Sequence, residues 1–339
     1  MAKLIVTNGD SAAANIRASG LKGRVLEWRD MLHDGPVPAS DSLEIVSDAR
    51  ADYIAQALGL DFGEVRADFA QRDGLISAHI AYSDVELWFE HDLFDQLQLI
   101  QLLAFFAREP ERVGLRLMQA DTYLGALAPE RMPDLAPTAT PVTSLQLETG
   151  RTAWAAFTAA TPEGIAALAA AHMAHLPWLA PALRRLLAEL PAPGSGLSLT
   201  QERTLLALKD GPVSAGHLFG VVTGQEEAQF LGDLGFFLRL DEMAFGAEPL
   251  IAGLPHTVRA VPTFTPSDPP GPEQAGYRAY ASSLVRLTPA GDAVLRGELD
   301  HAGVNAIDRW LGGTRIAGAN PWRYDRVAGQ VIAPAMALS

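Results

Sequence analysis

The sequence predicts an open, mostly parallel α/β sheet at the N-terminus, Rossmann-like in plan, followed by a helical connector and a winged-helix-like α+β domain. Three observations carry that prediction. Short apolar runs alternate with helical stretches over the first 120 residues, the pattern of a parallel sheet covered on both faces. Pro191–Gly196 (PAPGSG) is the clearest linker signal in the chain. Beyond it, helices precede paired strands instead of alternating with them. The implied units are residues 1–130, 131–196 and 197–330.

Lys3–Thr7 is the first strand, followed by a helix over Ser11–Ser19 with Asp10 or Ser11 as N-cap and Gly20 past its end. Arg24–Trp28 is the second strand. His33–Pro38 holds Gly35, Pro36 and Pro38 and is a loop. Ser42–Leu58 and Glu64–Arg72 are helical, Val85–Phe89 is the third strand, Leu93–Phe106 a strongly apolar helix and Leu115–Met118 the fourth strand. Residues 132–150, rich in Pro and Thr, form a connection. Thr152–Leu190 is alanine-rich and helical, broken at Pro162 and Pro177. In the last unit Leu199–Lys209, Ser214–Val221 and Gln225–Leu234 are helices. Phe236–Leu240 begins a hairpin that returns at Ser283–Leu287 after a Pro/Gly-rich insertion at 262–276, and Thr288–Gly297 is helical again.

With 339 residues and 48% apolar composition, the chain can bury two or three cores. It has no cysteine, which excludes disulfides, thiolate metal sites and cysteine nucleophiles. One lysine and a short apolar run open the sequence, far short of a signal peptide, and no stretch of about 18 apolar residues occurs. A cytoplasmic protein without a membrane partner is the expectation. The net charge is −14; residues 1–140 hold 22 acidic against 12 basic residues (−10) and residues 197–330 hold 15 against 11 (−4). Nucleic-acid binding rests on neutralising phosphates with Lys and Arg, so nucleic acid is not an expected partner.

Ligands of open α/β sheets sit outside the carboxyl ends of the strands. The segments that follow the four predicted strands are all polar: Asn8-Gly9-Asp10-Ser11; Arg29-Asp30 and His33-Asp34; Glu90-His91-Asp92 with Asp95-Gln96; and Gln119 with Asp121. Asn8 to Ser11 is either a turn with a helix cap or a cradle of free helix N–H groups for an anion. It matches neither a dinucleotide fingerprint nor a Walker loop. Glu90, Asp92 and Asp95 either favour a helix N-terminus or bind a cation or substrate hydroxyl, with His91 as general acid or base. Oxygen-rich donors of this kind suit Mg²⁺ or Mn²⁺, although the spacing matches no standard metal motif. Arg29 either pairs with a carboxylate or clamps an anion. His33 is either a turn residue or a second catalytic imidazole. Trp28 and Trp88, at strand ends, pack the core or wall a pocket.

The segments VTNGDSAA, VLEWRDMLHDGPVP and ELWFEHDLFDQLQLIQLL resemble the bacterial family catalogued as domain of unknown function 1835. LTPAGDAVLRGELDHAGVNAIDRWLGGTRI, followed by NPWRYD, is similar to the tail of its longer members. The resemblance spans about residues 2–125 and 283–325. It implies a conserved polar set at Asn8, Gly9, Asp10, Ser11, Trp28, Arg29, Asp30, His33, Gly35, Pro36, Glu90, His91, Asp92, Asp95 and Gln96, and no particular activity. Glu27 stands where relatives carry Pro. Phe94 stands in place of Tyr, which removes a phenolic acid there.

In the C-terminal unit the expected recognition helix Gln225–Leu234 has Glu226, Glu227 and Asp233 but no Lys or Arg, which favours a protein contact over DNA. The aromatic–arginine segments 308–313 and 321–325 dock the tail, cover the N-terminal cleft or stack on a base. His172 and His175 share a helix face as a solvated pair, and Ser195 is a linker serine. Two functions follow. One is an enzyme of hydrolytic or group-transfer type acting at phosphorus on a small anionic or nucleotide-like ligand. There His91 is acid/base, Asp92 and Asp95 hold a cation or hydroxyl, Arg29 clamps the anion, Asn8 to Ser11 cradle it, and His33, Asp30, Glu90 and Gln96 complete the site. The other is a non-catalytic ligand sensor or adaptor.

Overall fold

The computed structural model describes residues 2–109, 114–261 and 274–335. In chain order the N-terminal elements are β1 (Lys3–Thr7), α1 (Asp10–Ala18), β2 (Arg24–Glu27), β3 (Gly35–Pro36), α2 (Leu43–Leu58), α3 (Phe62–Ser77), β4 (Asp84–Phe89), α4 (Leu93–Phe106), β5 (Leu115–Gln119), α5 (Met132–Leu135) and β6 (Thr140–Pro141). The result is a mixed α/β chain with a mostly parallel five-stranded sheet, ordered β2-β1-β4-β5-β6, in which β6 alone is antiparallel. Alternation decides which face each strand residue serves. Leu4, Val6, Val85, Leu87 and Phe89 pack into the larger core with α4, whereas Ile5, Trp88 and Met118 pack on Ala12 and Ile16 of α1. β1 leads to β2 on one side and borders β4 on the other, so the chain order reverses between β1 and β4, the position whose carboxyl edge serves as the ligand side in open α/β sheets.

The cap of α1 differs from expectation: Gly9 is the N-cap and no side chain caps it. α6 (Ser144–Phe157), α7 (Glu163–Ala170) and α8 (Leu179–Leu187) follow, with breaks near Pro162 and Pro177. The 132–150 stretch is not wholly a connection, because α6 starts within it. Thr143 and Gln146 form a reciprocal capping box there. α6 lies close on α4, where a Cβ at Gly150 would overlap Leu103. PAPGSG is a tight turn, closed by Ala192 N–H donating to the Leu197 carbonyl at 2.9 Å.

Next come α9 (Leu199–Ala207), β7 (Val213–Ser214), α10 (Ala215–Thr223), α11 (Asp233–Ala244), β8 (Ile251–Ala252), α12 (Ala275–Ala281), β9 (Leu284–Leu287) and α13 (Pro289–Leu295). Two expectations are corrected. Residues 225–232 form a loop, not a helix, because Phe230 and Leu231 turn inward to the core. Phe236–Leu240 belongs to α11, not to a hairpin: Phe236, Phe237, Leu240 and Met243 are buried together, a helical spacing. The return strand is present as β9, antiparallel to both β7 and β8. Of the Pro/Gly-rich insertion, residues 262–273 lie outside the described residues.

α14 (His301–Asn305), β10 (Ile307–Gly312), β11 (Thr314–Gly318), β12 (Arg323–Asp325) and β13 (Gln330–Ile332) form the tail. β10 pairs in parallel with β3, Leu311 opposite Gly35, so the expected loop at 33–38 contains a short strand completed from the far end of the chain. Gly35 has φ +77°, and a Cβ there would overlap the Tyr53 ring. Among the described residues no helix is long and apolar enough to cross a membrane.

Buried ion pairs join these parts. Asp34 pairs with Arg239 of α11, Arg239 lies 3.6 Å from Glu189, Glu189 pairs with Arg185 of α8 at 2.8 Å, and Arg185 pairs with Glu226 at 2.8 Å. Gly35→Ala tests the docking of the tail. The left-handed backbone costs about 1–2 kcal/mol for a residue with a Cβ, and the overlap with Tyr53 adds to it. A thermal melt is expected to fall by about 2 °C or more. An unchanged melt would mean that this turn is not fixed by its packing.

Candidate functional site

The site begins where β1 and β4 end. Asn8, the first residue after β1, accepts the Gly9 N–H on Oδ1 at 2.6 Å and donates from Nδ2 to Asp95 Oδ2 at 2.7 Å. Asp95 Oδ1 accepts the backbone N–H of Glu90 at 2.7 Å, and Gln96 donates to the Glu90 carbonyl at 2.7 Å. Asp92 caps α4, accepting the Asp95 N–H at 3.1 Å. Glu90 Oε1 accepts the Leu124 N–H at 2.7 Å. Asn8, Glu90, Asp92, Asp95 and Gln96 thus meet in one hydrogen-bonded cluster at the reversal point of the sheet.

Glu90, Asp92 and Asp95 are 3%, 4% and 0% exposed, and one oxygen from each lies within 4.8 Å of the others. Burial and then the charge of Asp92 push Glu90 up to about 7; burial pushes Asp92 up to about 6. Burial, with the charges of Asp92 and Glu90, raises Asp95 well above the usual carboxylate range. No basic side chain is among the main influences on the three. The cluster therefore holds protons near neutral pH. Its donors are all oxygen, the chemistry of a Mg²⁺ or Mn²⁺ site. Each of the three accepts at least one hydrogen bond and keeps further lone pairs, so Glu90, Asp92 and Asp95 together would supply the ligands to such an ion.

His91 sits between two of these carboxylates in sequence but is half-buried, its ring 5.0 Å from Tyr123 and 5.7 Å from Trp178. Burial lowers its pKa against the opposing pull of Asp121, so the imidazole is mostly neutral at pH 7 and able to accept a proton. Its Nδ1 is buried with no hydrogen-bond partner. Burial and the charge of Asp92 lift the Tyr123 phenol to about 12, which keeps its proton in place.

Other expected site residues lie apart from this cluster. Arg29 and Asp10 share the rim, but the Arg29 guanidinium is engaged on the exposed side by Asp10 at 2.9 Å and Asp68 at 3.0 Å. Ser11 is an exposed residue of α1. Asp30 is corrected from ligand binding to structure, since it is buried against Arg50 at 2.9 Å and its carbonyl accepts from Gln98. His33 drops out of the catalytic set. It is sealed edge-on against Phe94 and Phe230, and burial together with the Arg239 charge drives its pKa down to about 3. Trp28 and Trp88 are fully buried, their indole N–H groups bonded to Gln101 and Glu86. His175 bonds Thr149 at 2.8 Å while His172 is exposed, so the two do not act as a pair.

Sequence reasoning missed what His91 faces. His91 and Leu93 line a cleft of about 320 Å³ together with Arg184 and Arg185 of α8, Arg203 of α9, Glu226 and Glu227 of the 225–232 loop, and Tyr324 and Arg326 of the tail. The available signal was Arg184-Arg185 interrupting an otherwise apolar helix. No protein-family model matches this chain, and no curated protein matches it.

The raised carboxyl pKa values set a pH dependence. A group whose folded pKa lies above its unfolded value contributes stability that is complete below the unfolded pKa and lost as pH rises through the folded one. Glu90 and Asp92 should therefore cost stability as pH climbs from about 4 to 7. Glu90→Gln is expected to flatten the fall of melting temperature across that range. An identical slope in the variant would show the carboxylates already compensated.

Proposed function

We propose that this chain is an enzyme of hydrolase or transferase type acting on a small anionic ligand at the carboxyl edge of its parallel sheet, with His91 moving the proton. One observation carries the reading. The segment Glu90-His91-Asp92 places its two carboxylates in a buried, proton-holding cluster and its histidine in the lining of an arginine-bearing cleft. A neutral imidazole of this kind serves as general base toward water or a hydroxyl. The carboxylates next to it supply either a shared proton or oxygen ligands to Mg²⁺ or Mn²⁺. Chemistry at phosphorus suits the pairing of guanidinium groups with a proton acceptor. The resemblance to the domain-of-unknown-function 1835 family supports the same place, because Asn8, Glu90, Asp92, Asp95 and Gln96 of its motif set form the cluster.

A second reading is favoured by the strand plan of the last unit. Helices followed by an antiparallel sheet ordered β7-β9-β8 fit a winged-helix-like module, which supports a ligand-sensing adaptor. Its third helix, α11, is committed to the core through Phe236, Phe237, Leu240 and Met243, and its Arg239 is ion-paired. A protein partner suits that module better than DNA.

His91→Gln separates the readings. With p-nitrophenyl phosphate and Mg²⁺ or Mn²⁺ present, the wild type is expected to turn over. The variant should lose roughly 10²- to 10⁴-fold in kcat at unchanged melting temperature, the usual worth of a general acid or base. Equal rates in the two proteins would favour the adaptor.

A further inference from the structure

We infer that the cleft facing His91 is a phosphomonoester pocket, in which Arg184 and Arg326 bind the phosphoryl group and the apolar wall receives the organic part. The inference rests on the reading that the sheet's carboxyl edge is the ligand side, and it names the substrate class. In a chain that carries −14, this cleft gathers Arg184, Arg185, Arg203 and Arg326 on its walls with Glu226 and Glu227, while Glu189 and Glu202 pair with Arg185 and Arg326.

The four guanidinium groups are not equivalent. Arg185 commits four of its five donors: it bonds both oxygens of Glu226, Glu189 and the Thr200 hydroxyl, each at 2.8 Å. Arg203 is paired with Glu226 at 2.7 Å. Arg326 pairs with Glu202 through Nη2, but its Nη1 is buried without a hydrogen-bond partner. Arg184 gives one hydrogen bond, from Nη1 to the Ala169 carbonyl at 2.7 Å, and is otherwise exposed. Arg185 holds the frame; Arg203 is ion-paired with Glu226 although its Nη1, like that of Arg326, makes no hydrogen bond, and Arg184 and Arg326 keep donors open to a ligand. Two planar donor forks suit a phosphoryl dianion, which presents several oxygens at once. At about 320 Å³ the space exceeds what a bare phosphate fills and sits at the small end of ligand pockets. Leu93, Ala182, Leu199 and Tyr324 supply the wall for a small apolar or aromatic group.

Isothermal titration of the full chain with phenyl phosphate, inorganic phosphate and phenol tests this directly. Phenyl phosphate is expected to bind saturably, more tightly than inorganic phosphate, and phenol not at all. Arg184→Gln and Arg326→Gln should each weaken it roughly tenfold or more, the worth of a charge-assisted hydrogen bond. Arg184 is exposed, so its variant keeps the fold, and Arg296→Gln, at an exposed pair elsewhere, controls for loss of charge. His91→Gln should still bind. If phenyl phosphate binds but the wild type does not turn it over, the chemistry proposed for His91 fails and the pocket stands. Absence of saturable phenyl phosphate binding, binding no better than inorganic phosphate, or affinity untouched in both arginine variants overturns the pocket.

Discussion

A run of buried ion pairs holds this molecule in one arrangement. Asp34, in the loop after β2, pairs with Arg239 of α11; Arg239 approaches Glu189 at the end of α8; Glu189 pairs with Arg185, and Arg185 with Glu226. Burial disfavours the charged form of Glu189, but Arg185 and Arg309 outweigh it and hold the carboxyl down to about 2. A buried pair of this kind adds little net stability over an apolar replacement, while removing one partner costs about 3–5 kcal/mol. Its contribution here is to specify partners. An apolar contact accepts many registers, whereas a buried carboxylate is stable only where its guanidinium arrives.

The same run of charges ends at the cleft. Arg185 and Glu226 belong both to the ladder and to the cleft wall. Phe230 stacks on the Arg185 guanidinium at 4.8 Å and meets the His33 ring at 5.2 Å, so the 225–232 loop is drawn down over the sheet's edge. His33 and Asp30 belong to this supporting layer. The residues left free to meet a ligand are those outside the ladder, namely His91, Arg184 and Arg326. Fold and site are therefore coupled, because the frame that satisfies buried charge also decides which donors stay open.

Much of the N-terminal half was legible in the sequence. Strands buried on both faces read as short apolar runs, and each of the four parallel strands leads into a polar segment, as the topology requires. Asn8, Glu90, Asp92, Asp95 and Gln96 could be gathered on that ground. What escaped depends on distant partners. Nothing near Asp30 or His33 announces Arg50 or Arg239, so a buried structural group looks the same as a ligand group. Phe236 and Phe237 with Leu240 and Met243 carry a helical period, but the short apolar run Phe236–Leu240 taken alone reads equally as a strand. The cleft was illegible because Arg184, Arg203 and Arg326 come from three separate stretches, and no local pattern brings them together.

The ion ladder makes the N-terminal sheet and the C-terminal elements one cooperative body around the cleft. Denaturant unfolding of the wild type and of Glu189→Gln, followed by far-UV circular dichroism and by tryptophan fluorescence, measures it. The wild type should unfold in one transition seen alike by both signals. The variant should unfold at lower denaturant, with the two signals drawn apart. A Glu189→Gln midpoint equal to that of the wild type would mean that the ladder does not hold the two parts together.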